Sequence, residues 1–518
     1  MTVPGPVARC GSACALALST LILLTARPLA GQLISIKTVP IAQGDQFDIF
    51  PSHHRGMGGA FIALADTLLD PFRSPARGSR LAVPRLFASP TFYGISKESG
   101  GGRTLPLATF AQRGTWYGGL SLAVQEVDPS RIPTSSNNVV FGPLPPPGVV
   151  GVAVPNPGQP PPPPESHGNA YAFALLGTTL AGPQLSLAAS FSWARLKGVD
   201  GVEVLYPGSQ GIDQFGHAVD VRLGLLKEWP GERSLDAVLL HNRFSMSEDV
   251  TYAELFWDPS TQRALQQQRL DRELERTETW GLHLQYERPL AASGWRVGWI
   301  ATGNLMSHPK IPDYEIMSIP RDPGHSHAYQ LGIGVSRITG PATFGLDAVY
   351  EPIWSHTYAA AAVPTETSLG DTIPVGGKTI ENRFRFSNAL FRMGVGRELP
   401  IGSRPRAATW QLGVAVHTIH YWLNQQDHVQ DASRAREDWW VEWTPTWGLT
   451  LRFPELELRY SGRVTTGTGR PRSQTDGFVL NDPAAFRAGG LLVAPNGPLT
   501  LEGVSVVTHQ FSLSLPLH

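Results

Sequence analysis

The most constraining feature of this chain is an apolar/polar alternation of period two, sustained over segments longer than ordinary strands. Leu185, Leu187, Ala189, Phe191 and Trp193 alternate with Ser186, Ala188, Ser190 and Ser192. Val219, Val221, Leu223 and Leu225 alternate with Asp220, Arg222 and Gly224. The pattern returns at Trp280–Tyr286 and Leu456–Tyr460, and ends with Phe511, Leu513, Leu515 and Leu517 set against Gln510, Ser512 and Ser514. A two-residue period puts the two sets on opposite faces of a sheet. The segments run about 10–14 residues, roughly twice the usual soluble strand, which suits a tilted strand crossing a bilayer.

Connection lengths add an independent constraint. Short connections at Arg113–Thr115, Ala181–Pro183, Pro230–Arg233, Ala291–Gly294, Gly340–Pro341 and Phe453–Pro454, with a longer one at Pro400–Arg406, alternate strictly with long stretches. The long stretches fall near 128–168, 198–215, 247–276, 307–325, 356–379, 424–436 and 467–502. An up-and-down antiparallel barrel in an outer membrane has two such length classes, with short turns on one side and long loops on the other. The count favours about 16 strands, with 14 if one weak hairpin fails. The fold class expected is therefore all-β: a transmembrane β-barrel of about 14–16 strands.

Composition agrees. Of 518 residues only 16% are charged and 42% hydrophobic, with mean hydropathy −0.11, too polar for a polytopic helix bundle. Net charge is −1, so no basic footprint points to nucleic acid. Cys14–Leu24 is the one long apolar run; with Arg9 before it and Ala30-Gly31 after it, residues 1–31 read as a secretory signal peptide. Both cysteines, Cys10 and Cys14, fall within it, so no disulfide or thiolate chemistry is expected downstream. Without further apolar helices, only a closed sheet satisfies the backbone in hydrocarbon. Asp220, Arg222, His283, Glu287, Glu455, Glu457 and Arg459 are then expected to face the lumen. Trp116, Tyr117, Trp193, Trp229, Trp295, Trp299, Trp439, Trp440, Trp443 and Trp447 are expected in interfacial girdles. Gly142–Pro164 is proline-rich and expected to be an extended surface loop. Asp258–Arg276 has helix-forming composition, with Asp258 as N-cap and Pro259 following, and reads as a short surface helix.

Residues 32–82 break the strand rhythm before the barrel expected over 83–518. Arg55–Ala76 reads RGMGGAFIALADTLLDPFRSPA, with Gly56, Gly58 and Gly59 where backbone must pack closely. This string resembles the mature N-terminus of FadL-like outer-membrane transport proteins and, equally, of PorV-type proteins of type IX secretion. Those sequences read GMGGAFVALADD, then a short helix and Asn-Pro-Ala; here Ser74-Pro75-Ala76 stands at the last motif. The resemblance implies an N-terminal hatch inside the barrel, carried by Gly56, Met57, Gly58, Gly59, Ala60, Phe61, Leu64, Asp66, Ser74, Pro75 and Ala76. It also implies passive movement of a hydrophobic small molecule, with Phe61, Met57 and Leu64 as candidate ligand-facing groups. The PorV-type resemblance implies instead a secretion accessory that holds exported cargo proteins. A general diffusion or structural barrel is the remaining reading.

No Gly-x-Ser-x-Gly elbow, P-loop or dinucleotide fingerprint occurs, and no enzyme activity or cofactor is expected. His417 and His420 are three apart on an expected strand and so face opposite sides, while His325 and His327 share a face without cysteines or a carboxylate set; no metal site is expected. The expected partner is outer-membrane lipid, and the expected location the cell outer membrane of a Gram-negative-type bacterium.

Overall fold

A computed structural model of the chain describes residues 46–81, 83–128, 139–141, 166–180, 184–199, 209–258, 263–290, 293–308, 324–361, 363–402, 405–471 and 501–517. The expected signal peptide, the start of the 32–82 segment and the proline-rich loop 142–164 lie outside the described residues.

The strands are β1 (Arg85–Ala88), β2 (Thr91–Ile95), β3 (Gly101–Arg113), β4 (Trp116–Asp128), β5 (Val139–Phe141), β6 (His167–Leu180) and β7 (Leu185–Leu196). They continue as β8 (Ser209–Trp229), β9 (Arg233–Asp258), β10 (Arg263–Leu290), β11 (Trp295–His308), β12 (Gly324–Thr339) and β13 (Ala342–Ala360). After a small hairpin, β14 (Thr365–Glu366) and β15 (Thr372–Ile373), come β16 (Lys378–Pro400), β17 (Ala407–Asp427), β18 (Ala432–Arg452), β19 (Glu457–Pro471) and β20 (Leu501–Pro516).

Eighteen of these join one sheet. β1 and β2 lie end to end against the same neighbours, β3 and β20, and form one strand interrupted at Ser89-Pro90. β5 runs parallel to the outer end of β9 and stands outside the ring. Sixteen antiparallel staves remain, and the pairing of β20 with β1 and β2 closes them into a barrel. Pro90 has no N–H to give a ladder, but its carbonyl accepts from Phe511 N at 2.9 Å, which holds the interrupted stave in register.

The alternation read from sequence sorts as expected. Leu120, Leu122, Val124, Phe191, Leu223, Leu282, Leu331, Phe391, Leu412 and Phe511 are all exposed on the outer wall. Their inward neighbours include Ser121, Gln125, Ser190, Gln285, Ser512 and Ser514, all buried. An apolar outer wall with a polar interior is the pattern of a membrane barrel, and burying each large outer side chain in lipid is worth about 1.5–3 kcal/mol over leaving it in water. The girdle residues divide: Trp116, Trp193, Trp299, Trp439 and Trp443 are exposed on the wall. Tyr117 and Trp440 instead point inward, Tyr117 donating to Ala76 O at 3.1 Å and Trp440 packing on the cluster of Phe386 and Tyr421. Glu455 also departs from expectation, lying in the turn between β18 and β19 and not on a strand.

Two expected loops are largely sheet. Residues 263–276 form strand, not helix, because β10 pairs with β9 continuously from Arg263↔Asp258 to Glu287↔Ser234. Twenty-five cross-strand pairs outweigh the modest helix preference of Gln, Arg, Leu and Glu, which amounts to a few tenths of a kcal/mol per residue. Likewise β17 and β18 pair to Asp427↔Ala432, so the long stretch expected at 424–436 is a tight turn at the tip of an extended hairpin. Strands of 26 and 28 residues in β9 and β10 far exceed the membrane's need and project beyond it on the long-loop side.

Candidate functional site in the N-terminal segment and adjoining cavity

Residues 46–81 contribute no strand. They hold a 3-10 turn at Arg55–Met57, one helical turn at Asp70–Arg73 and a second 3-10 turn at Pro75–Arg80. What positions them is a set of glycines on the inner wall. A Cβ on Gly394 of β16 or Gly413 of β17 would overlap the backbone at Met57-Gly58, and one on Gly56 would meet Gly448 N of β18 at 2.7 Å. Around the ring, Gly298, Gly332 and Gly334 of β11 and β12 leave room for Ile62, and Gly345 of β13 for Ala60 and Leu64. On β8, Gly224 faces Pro75 and Ala76, while Gly78 sits against Tyr117 and Leu175 of β4 and β6. Glycine inside a strand costs packing and propensity, so such a series marks close approach of another backbone. Gly58 and Gly59 themselves have φ of 70° and 73°, a turn that side-chain-bearing residues rarely adopt.

Polar side chains of the wall bond the backbone of the segment. Thr446 Oγ1 accepts from Gly58 N at 2.8 Å and donates to Gly56 O at 3.0 Å. Asp347 accepts from Phe61 N at 2.7 Å, Gln285 donates to Ile62 O at 2.9 Å and Ser336 to Ala63 O at 2.7 Å. Arg222 donates to Phe72 O and Arg73 O. These bonds satisfy backbone groups that no helix or sheet would otherwise pair.

The 70–77 stretch is held by charge. Arg77 is buried and reaches three carboxylates: Asp236 of β9 at 2.7 Å, Glu287 of β10 at 2.7 Å and Asp70 at 3.2 Å. Ser74 donates to the other oxygen of Asp236 at 2.7 Å. Three carboxylates around one guanidinium leave an excess of negative charge. Burial pushes the Asp70 carboxyl up to about 6; Arg77 pulls it down, while Asp66 and Glu287 push it further up. Asp66 goes the other way: burial opposes its ionisation, yet the nearby His53 and His54 and hydrogen bonds from Ser52 and Leu69 N hold it at about 2. It ties the loop at 52–54 to the start of the helical turn.

On the long-loop side of this segment lies a cavity of about 110 Å³, walled by strands β8–β12 and β16. Phe61 lines it, gripped between two cations: Arg73 Cζ lies 4.3 Å and Arg392 Cζ 5.2 Å from its ring centre. Among the described residues, Arg73 Nη1 and Arg392 Nη1 are buried with no hydrogen-bond partner. His283, Gln285, Thr302 and Gln330 place polar groups in a lining whose open surface is mostly apolar.

Of the expected hatch residues only Phe61 and Ser74 line this cavity, together with Arg222 and His283 from the expected lumen-facing set. Met57 and Leu64 are buried together with Ala60 against the wall, so neither faces it. Gly56, Gly58, Pro75 and Ala76 contact wall glycines; Gly59 is nearly free of close neighbours. Sequence reading passed over Arg73, Arg77, Asp236, Asp347 and Arg392. A lone acid on the inward face of an apolar strand, as in SLDAVLL and GLDAVY, was the available signal. Among the described residues no group of three His, Cys, Asp or Glu is placed to hold a metal ion. His417 sits inside near Glu351 and Glu442, while His420 pairs outside with Glu437 at 2.7 Å.

The wall and its closure define a large membrane-type β-barrel and point to a bacterial outer membrane. Neither the family models nor the curated proteins compared give a match. Among solved structures, a FadL homologue of Pseudomonas aeruginosa aligns with TM-score 0.43 at 13% identity, over 92% of this chain and 100% of that one. CdiB from Escherichia coli aligns with TM-score 0.38 at 10% identity, over 83% of this chain and 62% of that one. The FrpB iron transporter from Neisseria meningitidis gives TM-score 0.34 at 10% identity, over 86% of this chain and 83% of that one. Likeness at this level says nothing of cargo.

Proposed function

We propose that this chain is a passive outer-membrane transport barrel for small molecules, with residues 46–81 acting as the stopper of its lumen. The cargo we infer has a hydrophobic body and one anionic end. The observation that carries the reading is the arrangement at Phe61: an aromatic ring and two arginines with unpaired buried donors facing a cavity directly over the segment. A buried guanidinium lacking an acceptor is costly, and an anionic end would relieve it. The mostly apolar surface of the cavity suits the hydrophobic body, and the two arginines the anionic end. Passive movement needs no nucleotide, in keeping with a sequence that holds no phosphate-binding loop.

The test is conductance and uptake with the full chain in planar bilayers and liposomes. Deleting Gly56–Ala76 should raise conductance several-fold; an unchanged value would remove the stopper role. Rapid swelling of wild-type liposomes in sugars would identify a general diffusion barrel instead. Selective co-purification of exported proteins, with no apolar ligand bound, would favour the secretion-accessory reading.

A further inference from the structure

The outer wall carries a second organised surface, far from the lumen. Across β12, β13, β16 and β17 one cross-strand row reads His327↔Trp354↔Arg385↔Trp422. Two residues further toward the long loops, the next row reads His325↔His356↔Arg383↔Asn424. Toward the short turns the same outward face becomes Leu331 and Ile333 on β12 and Phe391 and Met393 on β16, all exposed. Tryptophans mark the interface of the lipid band, so the basic rows lie at and just outside the headgroups of the leaflet on the long-loop side.

Charge in this sector is unbalanced. Glu381 is surrounded by four bases: His356 at 2.6 Å, Arg383 at 2.9 Å, Lys378 at 3.2 Å and His428 at 3.7 Å. Arg385 lies over the Trp422 ring at 5.4 Å, and the Arg383 side chain is 70% exposed. His325 stands within 5.5 Å of both His327 and His356, ring centre to ring centre. Among the described residues, Glu437 on β18 pairs with His420, and Glu366, Asp371, Asp427 and Asp431 lie beyond these rows, at the strand ends and in the connections. Elsewhere on the wall, Arg103 makes two 2.7 Å bonds to Glu126 and Arg272 two 2.6 Å bonds to Asp249, one acid to one base, whereas Arg383 makes its two bonds, at 2.9 and 3.2 Å, to one oxygen of a Glu381 that it shares with three other bases.

We propose that this sector binds the phosphorylated headgroup of an outer-leaflet lipid. Arg383 and Arg385 are the principal phosphate contacts, Lys378 and the His325–His327–His356 cluster form the rim, and Trp354 and Trp422 seat the lipid at its interfacial level. Guanidinium groups suit phosphate because they donate two parallel hydrogen bonds, and a basic cluster at the membrane surface gains affinity for anionic lipid from each charge. The two rows present their cations along one plane at headgroup depth, which is the geometry of a membrane-embedded ligand.

The experiment is native mass spectrometry of the full chain in detergent micelles, titrated with a bis-phosphorylated acylated glucosamine disaccharide, its dephosphorylated form and phosphatidylethanolamine. Wild type should retain the bis-phosphorylated lipid, and R383S/R385S should bind it roughly tenfold more weakly or worse. The control R103S, on the far side of the wall, should bind like wild type. Both substitutions are on the outer surface, and heat-modifiable gel mobility reports that the barrel is folded. Equal retention of phosphorylated and dephosphorylated lipid, or no loss in R383S/R385S relative to R103S, would overturn the proposal. Displacement of the lipid by millimolar inorganic phosphate with no dependence on acyl chains would also overturn it, by reducing the site to a free-anion site.

Discussion

Filling the wall glycines tests whether the N-terminal segment is held by shape. In Gly413→Val a side chain enters a space already taken by the backbone of Met57 and Gly58. The opposing backbone cannot rotate away as a flexible side chain would, so the segment must lift off. Valine's β-branched side chain favours extended backbone, although the added Cβ also comes to 2.8 Å from Met393 O of β16, a contact the wall must relax by a small local shift. Lifting the turn exposes Met57, Ala60 and Leu64, of which Met57 is fully buried. At about 1.5–3 kcal/mol for each of the two large side chains and less for Ala60, anchorage falls by roughly 3–6 kcal/mol. Loss of the Thr446 bonds to Gly56 and Gly58 adds about 1 kcal/mol each. A shift of that size takes a segment from almost always seated to substantially displaced. The matching control is Gly503→Val on β20, where an added Cβ meets nothing within 4 Å. Planar-bilayer conductance should rise and flicker in Gly413→Val, and limited proteolysis should cut within 46–81, while Gly503→Val behaves like wild type. Both variants should keep the folded barrel's gel mobility. Wild-type conductance and protection in folded Gly413→Val would refute the argument that glycine-to-backbone contact seats the segment.

Other outcomes follow from the charged collar. Arg77→Met strands Asp236 and Glu287 as buried carboxylates, which should cost about 3–5 kcal/mol and appear as a lowered midpoint of barrel unfolding in urea. Asp70 has its carboxyl raised to about 6 in the folded chain, above its ordinary 3.8, so it favours the seated segment fully below about pH 4 and loses that contribution as pH rises through 6. Proteolytic protection of residues 70–77 should therefore fall between pH 5 and pH 7 in wild type, and Asp70→Asn, which cannot ionise, should flatten that fall; an equally steep fall in the variant would be contrary evidence. Phe61→Ala removes the ring between Arg73 and Arg392 and should weaken retention of an apolar anion about tenfold, read by isothermal titration, without changing barrel stability.

The barrel was legible because its two governing signals are local. Period-two alternation sets which residue faces lipid, and turn length sets which end of the wall a connection occupies. Together they bound the barrel at about 14–16 staves, and the pairing of β20 with β1 and β2 settles it at sixteen. What they miss is where a strand stops. Nothing in Arg263–Arg276 distinguishes a surface helix from a strand until Ser245–Asp258 is available to pair with it, and that pairing is a tertiary fact. Tyr117 shows the same limit: its place beside Trp116 reads as interfacial, yet adjacent residues on a strand must face opposite ways, and Tyr117 takes the inward one. The wall glycines were visible in the sequence all along. Without knowing that residues 46–81 lie against them, however, Gly394, Gly413 and Gly448 read as ordinary small strand residues.

The segment is thus attached in two chemically different ways along its length. From Gly56 to Leu64 it is seated by van der Waals contact and neutral or singly charged hydrogen bonds, with Thr446, Asp347, Gln285 and Ser336 as partners. Such contacts change little with salt. From Asp70 to Arg77 it is tied through one buried cation among three carboxylates, an arrangement whose energy depends on a proton at Asp70 and on exclusion of water. Wetting of the cavity beside Arg77 would weaken the second attachment first, because a higher local dielectric lowers every charge–charge term there while leaving the glycine seat unaffected. On the proposed stopper role, the segment is expected to loosen first from its 70–77 end beside the cavity and to stay seated at the β16–β18 wall where Gly58 meets Gly413, which proteolysis at raised pH would show as cleavage within 70–77 before 56–64.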